Sequence, residues 1–264
     1  MTTVGRTRVP NDPRQYDELA DQWWNPEGTF ASLSWIARCR AALVPTATRT
    51  DAVLVDVACG GGLLHPHLAG KGYTHVGVDL SAESGRVARA HGVDHVIRGD
   101  MNRIPLADES ADVVTAGQCL EHVSDPARVI AECCRILRPG GTLVVDTIPD
   151  TLIARLLIIT LAENLPLRVK APKGCHDHRL FVNRAGLVRA AAAHGVPLRL
   201  QGLTPKKSDI PGFLLRRRSE IRLVPSRNTS VLFQGVGVKR ARSAATSRRE
   251  AASPVSAGAA RQPG

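Results

Sequence analysis

Three carboxylates stand at or near the ends of apolar runs: Asp56 in Ala52-Val-Leu-Val-Asp-Val57, Asp79 in His75-Val-Gly-Val-Asp-Leu80, and Asp100 closing Asp94-His-Val-Ile-Arg-Gly-Asp100. Each run reads as a strand of a parallel sheet, the first as one buried on both faces. Open α/β sheets bind ligands at the carboxyl ends of their strands, so the three acids point at one crevice. Directly after the first run come Gly60, Gly61 and Gly62. They let the backbone turn sharply and approach a ligand, with a helix expected over about 63–70 that starts at that ligand. Two further clusters could do proton or metal chemistry: Glu121-His122, and the loop Lys173-Gly-Cys-His-Asp-His178 with two histidines and an acid.

The ligand of the glycine turn can be narrowed. A dinucleotide fingerprint needs a third glycine three residues after its second, where this chain has His65. A pyrophosphate beside Asp56 would also bring two anions into one small site. An acid there suits a ligand with an ammonium group. S-adenosylmethionine has an α-ammonium, a sulfonium and no phosphate. Asp79 can then take both ribose hydroxyls, Asp100 an adenine amino hydrogen bond, and Met101 the face of the ring.

The elements that must position these residues follow from periodicity. Residues 1–15 are polar and read as a flexible N-terminus. A helical pattern begins at Tyr16, a loop follows at Trp24-Asn-Pro-Glu-Gly28, and a second helix spans about 32–43. This segment, 16–45, reads as a helical cap and holds all three tryptophans, which either seal the cofactor fold or form a lid. Arg40 lies in its second helix, where it reads as a solvated charge unless the site recruits it. After the second strand a helix is expected over about 82–91. A fourth strand covers 111–116, a helix capped by Asp125 with Pro126 at its first position follows, and Arg138-Pro-Gly-Gly141 turns into a fifth strand, 142–148. Two last strands fall at 197–203 and 229–238. The pattern is an α/β, doubly wound, mostly parallel seven-stranded sheet in a single domain over 16–238.

Within it, 151–182 reads as an insert. Thr151 to Leu165 is nearly all apolar, with Arg155 and Glu163 as its only charges, and Arg168, Lys170 and Lys173 follow. It is too short to span a bilayer. It is either a buried helix capping the sheet or an interfacial one held at an anionic membrane surface. An Asn183-capped helix comes next, and His65 and His67 read as surface residues.

The 264 residues carry a formal net charge of +11, of which +5 falls in 239–264 and +4 in 205–222. The core is therefore close to neutral. The Ala/Ser/Arg-rich 239–264 cannot bury enough surface to order itself and reads as a disordered basic tail. Six cysteines without a C-x-x-C pair, and no apolar signal segment, argue for reduced thiols in the cytoplasm.

The chain resembles class I S-adenosylmethionine-dependent methyltransferases, and among them the ubiquinone-biosynthesis O-methyltransferases, which methylate phenolic hydroxyls on polyprenylated rings. The resemblance rests on Trp23-Trp24 with Gly28 and Phe30, Val55-Asp-Val-Ala-Cys-Gly-Gly-Gly62, Gly77-Val-Asp79, Asp112-Val-Val-Thr115, Leu120-Glu-His-Val-Ser-Asp-Pro126, Arg138-Pro-Gly-Gly141 and Pro172-Lys-Gly-Cys-His-Asp177. It implies that Arg40, Asp79, Gly117 and the turn at Ala58 contact the cofactor. With the residues read above, the expected cofactor set is Arg40, Asp56, Ala58, Cys59, Gly60, Gly62, Asp79, Leu80, Asp100, Met101, Gly117 and Gln118. The family's metal-associated Glu-x-x-Glu-His aligns with Gln118, Glu121 and His122. Replacing its first acid by Gln118 weakens the oxygen set that Mg²⁺ requires, leaving Glu121 and His122 as the metal candidates.

The chemistry implied is an in-line attack by a nucleophilic oxygen on the sulfonium methyl, for which the protein supplies position and desolvation. A phenol of pKa near 10 benefits from a base. His122 is the first candidate, His176 the second with Asp177 near it, and Glu121 either joins them or orients a helix. The acceptor is expected to be a lipophilic small molecule. Other readings are C- or N-methylation of another small molecule, a non-catalytic membrane-associated binding module, and a nucleic-acid methyltransferase using the basic tail. The last is opposed by a tail without aromatics and by the lack of an Asn/Asp-Pro-Pro-Tyr/Phe motif.

Overall fold

A computed structural model of the chain describes residues 11–163, 171–172 and 174–241. Residues 1–10 of the expected flexible N-terminus, 242–264 of the expected tail, and Arg168, Lys170 and Lys173 lie outside the described residues.

The sheet has eight strands in the order β3-β2-β1-β4-β5-β8-β6-β7. β1 (Val53–Val57), β2 (Thr74–Asp79), β3 (His95–Arg98), β4 (Ala111–Gly117) and β5 (Leu137–Thr147) run parallel, while β6 (Arg199–Pro205), β7 (Leu223–Ser226) and β8 (Phe233–Val238) pair antiparallel. The five parallel strands and β6 and β8 are the seven expected. β7 is additional. It is a four-residue edge strand containing Pro225, which cannot donate to a ladder and hid the segment from a strand pattern. The expected turn at Arg138–Gly141 is an irregularity inside β5, where the register jumps from Ala111↔Leu137 to Val113↔Thr142.

Helices cover the sheet as the pattern required. α2 (Ala31–Leu43), α3 (Ala82–Ala90), α4 (Pro126–Ile136) and α6 (Arg184–Ala193) are preceded by the short α1 (Arg14–Glu18) in the cap. Asp125 accepts from the Arg128 N–H at 3.1 Å and Asn183 from the Gly186 N–H at 2.8 Å, so both expected N-caps form. The core between sheet and helices is aliphatic, built around Val55, Val57, Val114, Val145, Ile130 and Leu137.

Two local expectations fail. No α-helix follows the glycine turn. The chain makes turns and a 3-10 segment, His65–Leu68, because Pro66 supplies no N–H and Gly70 takes φ +74°. His65 is also not a plain surface residue: its ring stacks on the buried His75 ring, with their Nδ1 atoms 3.2 Å apart.

The insert is packed on one face and exposed on the other. α5 (Leu152–Ala154) runs on into a π-helical stretch, Arg155–Ala162. Ala154, Ile158 and Ile159 pack with Ile148 and Phe181, so one face does cap the sheet. Leu152, Ile153, Leu156 and Leu157 on the other face are exposed. No described helix is long and apolar enough to cross a membrane.

Candidate active site

The sheet order reverses between β1 and β4, which places a crevice at their carboxyl ends. Ala58 and Gln118, just past these strands, both take left-handed backbone conformations, φ +55° and +51°. Non-glycine residues adopt this region at a cost of about 1–2 kcal/mol each, and such strain concentrates where geometry serves a site. A cavity of about 510 Å³ opens there. Among its lining are Arg40, Asp56, Ala58, Cys59, Gly60, Asp79, Leu80, Asp100, Met101, Gly117 and Gln118, which is every expected cofactor residue except Gly62.

Gly62 serves packing: a Cβ there would press on Val93 and Ala88. Gly60 and Gly61 likewise make room for the Trp23 ring, which lies against the turn and donates from Nε1 to Ser84 Oγ at 3.0 Å. Trp24 donates to the Gly61 carbonyl at 2.8 Å and stacks on His91. These two tryptophans seal the fold. Trp23 also lines the cavity, as does Trp35, which meets Phe213 edge-on.

Asp79 accepts the Gly60 and Ser81 N–H groups, each at 2.8 Å, so the turn and the end of β2 are fixed to one carboxylate. Its remaining lone pairs can accept hydroxyls, as a ribose requires. Asp100 accepts from the backbone and side-chain nitrogens of Asn102 at 2.8 and 2.9 Å, and Met101 beside it packs partly into the core.

Beneath the cavity lies an ion cluster. Arg40 is buried, not solvated: Nε is 2.8 Å from Asp146 Oδ2 and Nη1 is 3.5 Å from Asp56 Oδ1. Thr115, opposite Asp56 in the register, donates its hydroxyl to Asp56 at 2.5 Å. Gly117 stands opposite Asp146, and a Cβ at Gly117 would overlap the Arg40 guanidinium. Nearby His75 is held neutral by burial, which lowers its pKa. Two acids against one guanidinium leave one negative charge uncompensated when both are ionised, an environment suited to a cationic ligand. The cleft therefore fits S-adenosylmethionine: a carboxylate for hydroxyls, a negative floor for the cationic end, and Met101 for the ring.

On the other side of the cavity two imidazoles stack, His122 on His176, with ring centroids 5.1 Å apart. Asn11 donates from Nδ2 to the His122 carbonyl at 2.8 Å, so its Oδ1, 2.7 Å away, accepts from His122 Nδ1. His122 Nε2 is thus a lone pair, facing the Tyr16 hydroxyl at 3.2 Å. His176 Nδ1 meets Glu163 Oε1 at 2.7 Å, and the same carboxylate accepts the N–H groups of His176 and Gly174. With Nδ1 donating to that carboxylate, His176 Nε2 carries the ring's lone pair. Burial and the neighbouring His176 hold the His122 pKa down to about 3. Burial pushes the Cys175 thiol up to about 12, and its sulfur lies 3.7 Å from the Tyr16 hydroxyl.

The structure changes several assignments. The carboxylate on His176 is Glu163; Asp177 pairs with Arg179, at 2.6 Å, and caps a short turn. Glu121 does not line the cavity: it is fully buried, accepts the Thr147 hydroxyl at 2.6 Å, and is pushed up to about 7 by burial. Gln118 turns its amide to Asp146 at 3.1 Å. Gln118, Glu121 and His122 therefore face three different partners, and the oxygen ligands Mg²⁺ needs are not assembled among them. Sequence reasoning did not single out Asn11, Tyr16, Asp146 or Cys175 as site residues. The available signals were an acid inside the apolar fifth strand and a thiol in the Lys-Gly-x-His-Asp piece; Asn11 and Tyr16 carried none.

Residues 55–145 match the family described as a methyltransferase domain. The ubiquinone biosynthesis O-methyltransferase of Thiobacillus denitrificans is 36% identical over 198 residues, 72% of this chain and 84% of that one. That of Idiomarina loihiensis is 34% identical over 222 residues, 79% and 88% of the two chains. In fold, the chain is similar to a SAM-dependent methyltransferase from Thermotoga maritima, with a TM-score of 0.60 at 21% identity over 86% of this chain and 97% of that one. A second, from Mesorhizobium loti, gives 0.54 at 18% identity over 76% and 96%. The cleft, its charge and these likenesses together make this chain an S-adenosylmethionine-dependent methyltransferase that belongs to the ubiquinone biosynthesis O-methyltransferase family.

Proposed function

We propose that the enzyme methylates a phenol- or catechol-type hydroxyl on a lipophilic small molecule of the quinone-biosynthesis kind. The observation that carries this is the histidine pair. Two imidazoles whose Nδ1 is committed to a partner stand in the same cavity as the cofactor cleft, His122 with its Nε2 lone pair on the Tyr16 hydroxyl and His176 with Nε2 toward the acceptor, where an acidic hydroxyl would need a proton acceptor.

Bound S-adenosylmethionine supplies a methyl carbon already activated on sulfonium. The turn from Ala58, with Asp79, Leu80, Asp100, Met101 and Gly117, would hold the nucleoside, while Arg40, Asp56 and Asp146 would set the charge beneath it. These residues would hold that methyl carbon in line with the acceptor oxygen, so that a C–O bond would form as the C–S bond breaks, with the electron pair leaving on a neutral thioether. The hydroxyl proton passes to His176 Nε2. Glu163 on the opposite ring nitrogen orients that imidazole, whereas His122, whose pKa burial holds down to about 3, serves to position the hydroxyl. Trp35, Leu157, Ile158, Leu203, Ile221 and Leu223 give the cavity an apolar wall for a lipophilic acceptor and exclude water.

The acceptor's solubility suggests how it arrives. Leu152 and Ile153 of α5 and Leu156 of the π-helical stretch are exposed, and Leu214 and Leu215 are exposed directly before Arg216, Arg217 and Arg218. Apolar tips beside arginines suit peripheral contact with an anionic membrane surface.

Labelled methyl donor incubated with cell extract tests the substrate class: label is expected in the lipid or small-molecule fraction, and label confined to nucleic acid would refute it. His176→Ala tests the base. It should lower kcat by about 10²–10⁴-fold with cofactor affinity unchanged.

A further inference from the structure

The histidine pair has a third member that the methyl-transfer reading leaves unused. One ring nitrogen of His122, one of His176 and Cys175 Sγ all lie within 4.8 Å of one another. Histidines that bind metals almost always commit their other ring nitrogen to an outer partner, which fixes tautomer and ring orientation. Here both do so, His122 to Asn11 at 2.7 Å and His176 to the Glu163 carboxylate at 2.7 Å. The arrangement shares only His122 with the Gln118, Glu121, His122 alignment, and its donors are of another chemical kind. A thiolate and two imidazoles select a borderline or soft cation over Mg²⁺.

We propose that His122 Nε2, Cys175 Sγ and His176 Nε2 form a three-ligand site for Zn²⁺, and that its occupancy inhibits methyl transfer by taking both imidazole lone pairs. In a tetrahedral zinc site such donors stand about 3.3–3.6 Å apart, so the three side chains close by about 1 Å on binding. The Tyr16 hydroxyl, 3.2 Å from His122 Nε2 and 3.7 Å from Cys175 Sγ, would give up both contacts as the ion enters. Binding stands on the ligand geometry alone. Inhibition rests on the proton-acceptor role proposed above.

Titrating the reduced full-length protein with Co²⁺ tests the site without any substrate. One equivalent should produce a thiolate-to-cobalt charge-transfer absorption that one equivalent of Zn²⁺ abolishes. Cys175→Ser should remove the band, His176→Gln should weaken Co²⁺ binding at least tenfold, and Cys39→Ser, a cysteine outside the cavity, should change neither. No band in the folded parent, or a band that survives in Cys175→Ser, overturns the site. With a working acceptor, equimolar Zn²⁺ should slow turnover at least tenfold and a chelator should restore it. Zinc bound at one equivalent with the rate unchanged overturns the inhibition, while absence of turnover on any acceptor counts against the substrate class and leaves the cobalt result to decide the site.

Discussion

Arg40→Met tests the ion cluster under the cavity most directly. Methionine fills much of the same volume but leaves Asp56 and Asp146 facing each other without the guanidinium now 3.5 and 2.8 Å from them. Breaking a buried pair by removing one partner costs about 3–5 kcal/mol, a large part of the roughly 5–15 kcal/mol that holds a domain folded. The pH dependence separates charge from packing. Burial already raises the Asp146 pKa, with Arg40 pulling it back down, so losing Arg40 should raise it further. A carboxyl whose folded pKa is raised contributes fully below its unfolded pKa, and that contribution is lost as pH rises through the folded value. The deficit of the Met variant should therefore be largest at pH 8 and shrink toward pH 5. Urea unfolding of parent and variant at pH 5, 6.5 and 8, with slopes checked for constancy, measures this. A deficit below about 1 kcal/mol at pH 8, or one that is the same at all three pH values, would refute the reasoning. Gly117→Ala reaches the same cluster from the backbone, because its Cβ would overlap the guanidinium; overpacking should cost about 1–3 kcal/mol.

Other substitutions address separate features. The Glu121 carboxyl, pushed up to about 7 by burial, costs stability as pH rises from its ordinary 4.5 through that value, so Glu121→Gln should match the parent near pH 4.5. By pH 8 it should be more stable by about 2–3 kcal/mol in urea unfolding. Ala58→Gly removes left-handed strain at φ +55° and should gain up to about 1 kcal/mol once the extra chain entropy is subtracted; a loss of that size would show the alanine to be unstrained. Leu152→Ser, Ile153→Ser and Leu156→Ser together should weaken sedimentation with anionic vesicles at least tenfold and leave calorimetric S-adenosylhomocysteine binding as it was. Equal vesicle binding would remove α5 and the π-helical stretch from the membrane contact.

Much of the cleft at the strand ends was legible in the chain itself, because local chemistry encodes it. Valine-rich runs of strand length, caps at Asp125 and Asn183, and acids near three strand ends each follow from period, propensity or backbone need, and the sheet then carries them to one edge. Local periodicity misled where backbone exceptions ruled: Pro66 and Gly70 reduced an expected helix to a 3-10 turn, and Pro225 hid an edge strand.

The ion cluster and the surroundings of the two histidines were mostly decided in three dimensions. Arg40 reads as one more charge on a helix until β1 and β5 bring Asp56 and Asp146 against it. Nothing local distinguishes Asp177, next in sequence to His176, from Glu163, thirteen positions away, yet the fold gives the imidazole to Glu163 and Asp177 to Arg179. Asn11, Tyr16 and Cys175 join His122 across separations of more than fifty residues. Strand period, caps and turns are properties of neighbouring residues and can be read along the chain. Ion pairing, tautomer and burial depend on which distant segments the register sets side by side, and those only the folded chain specifies.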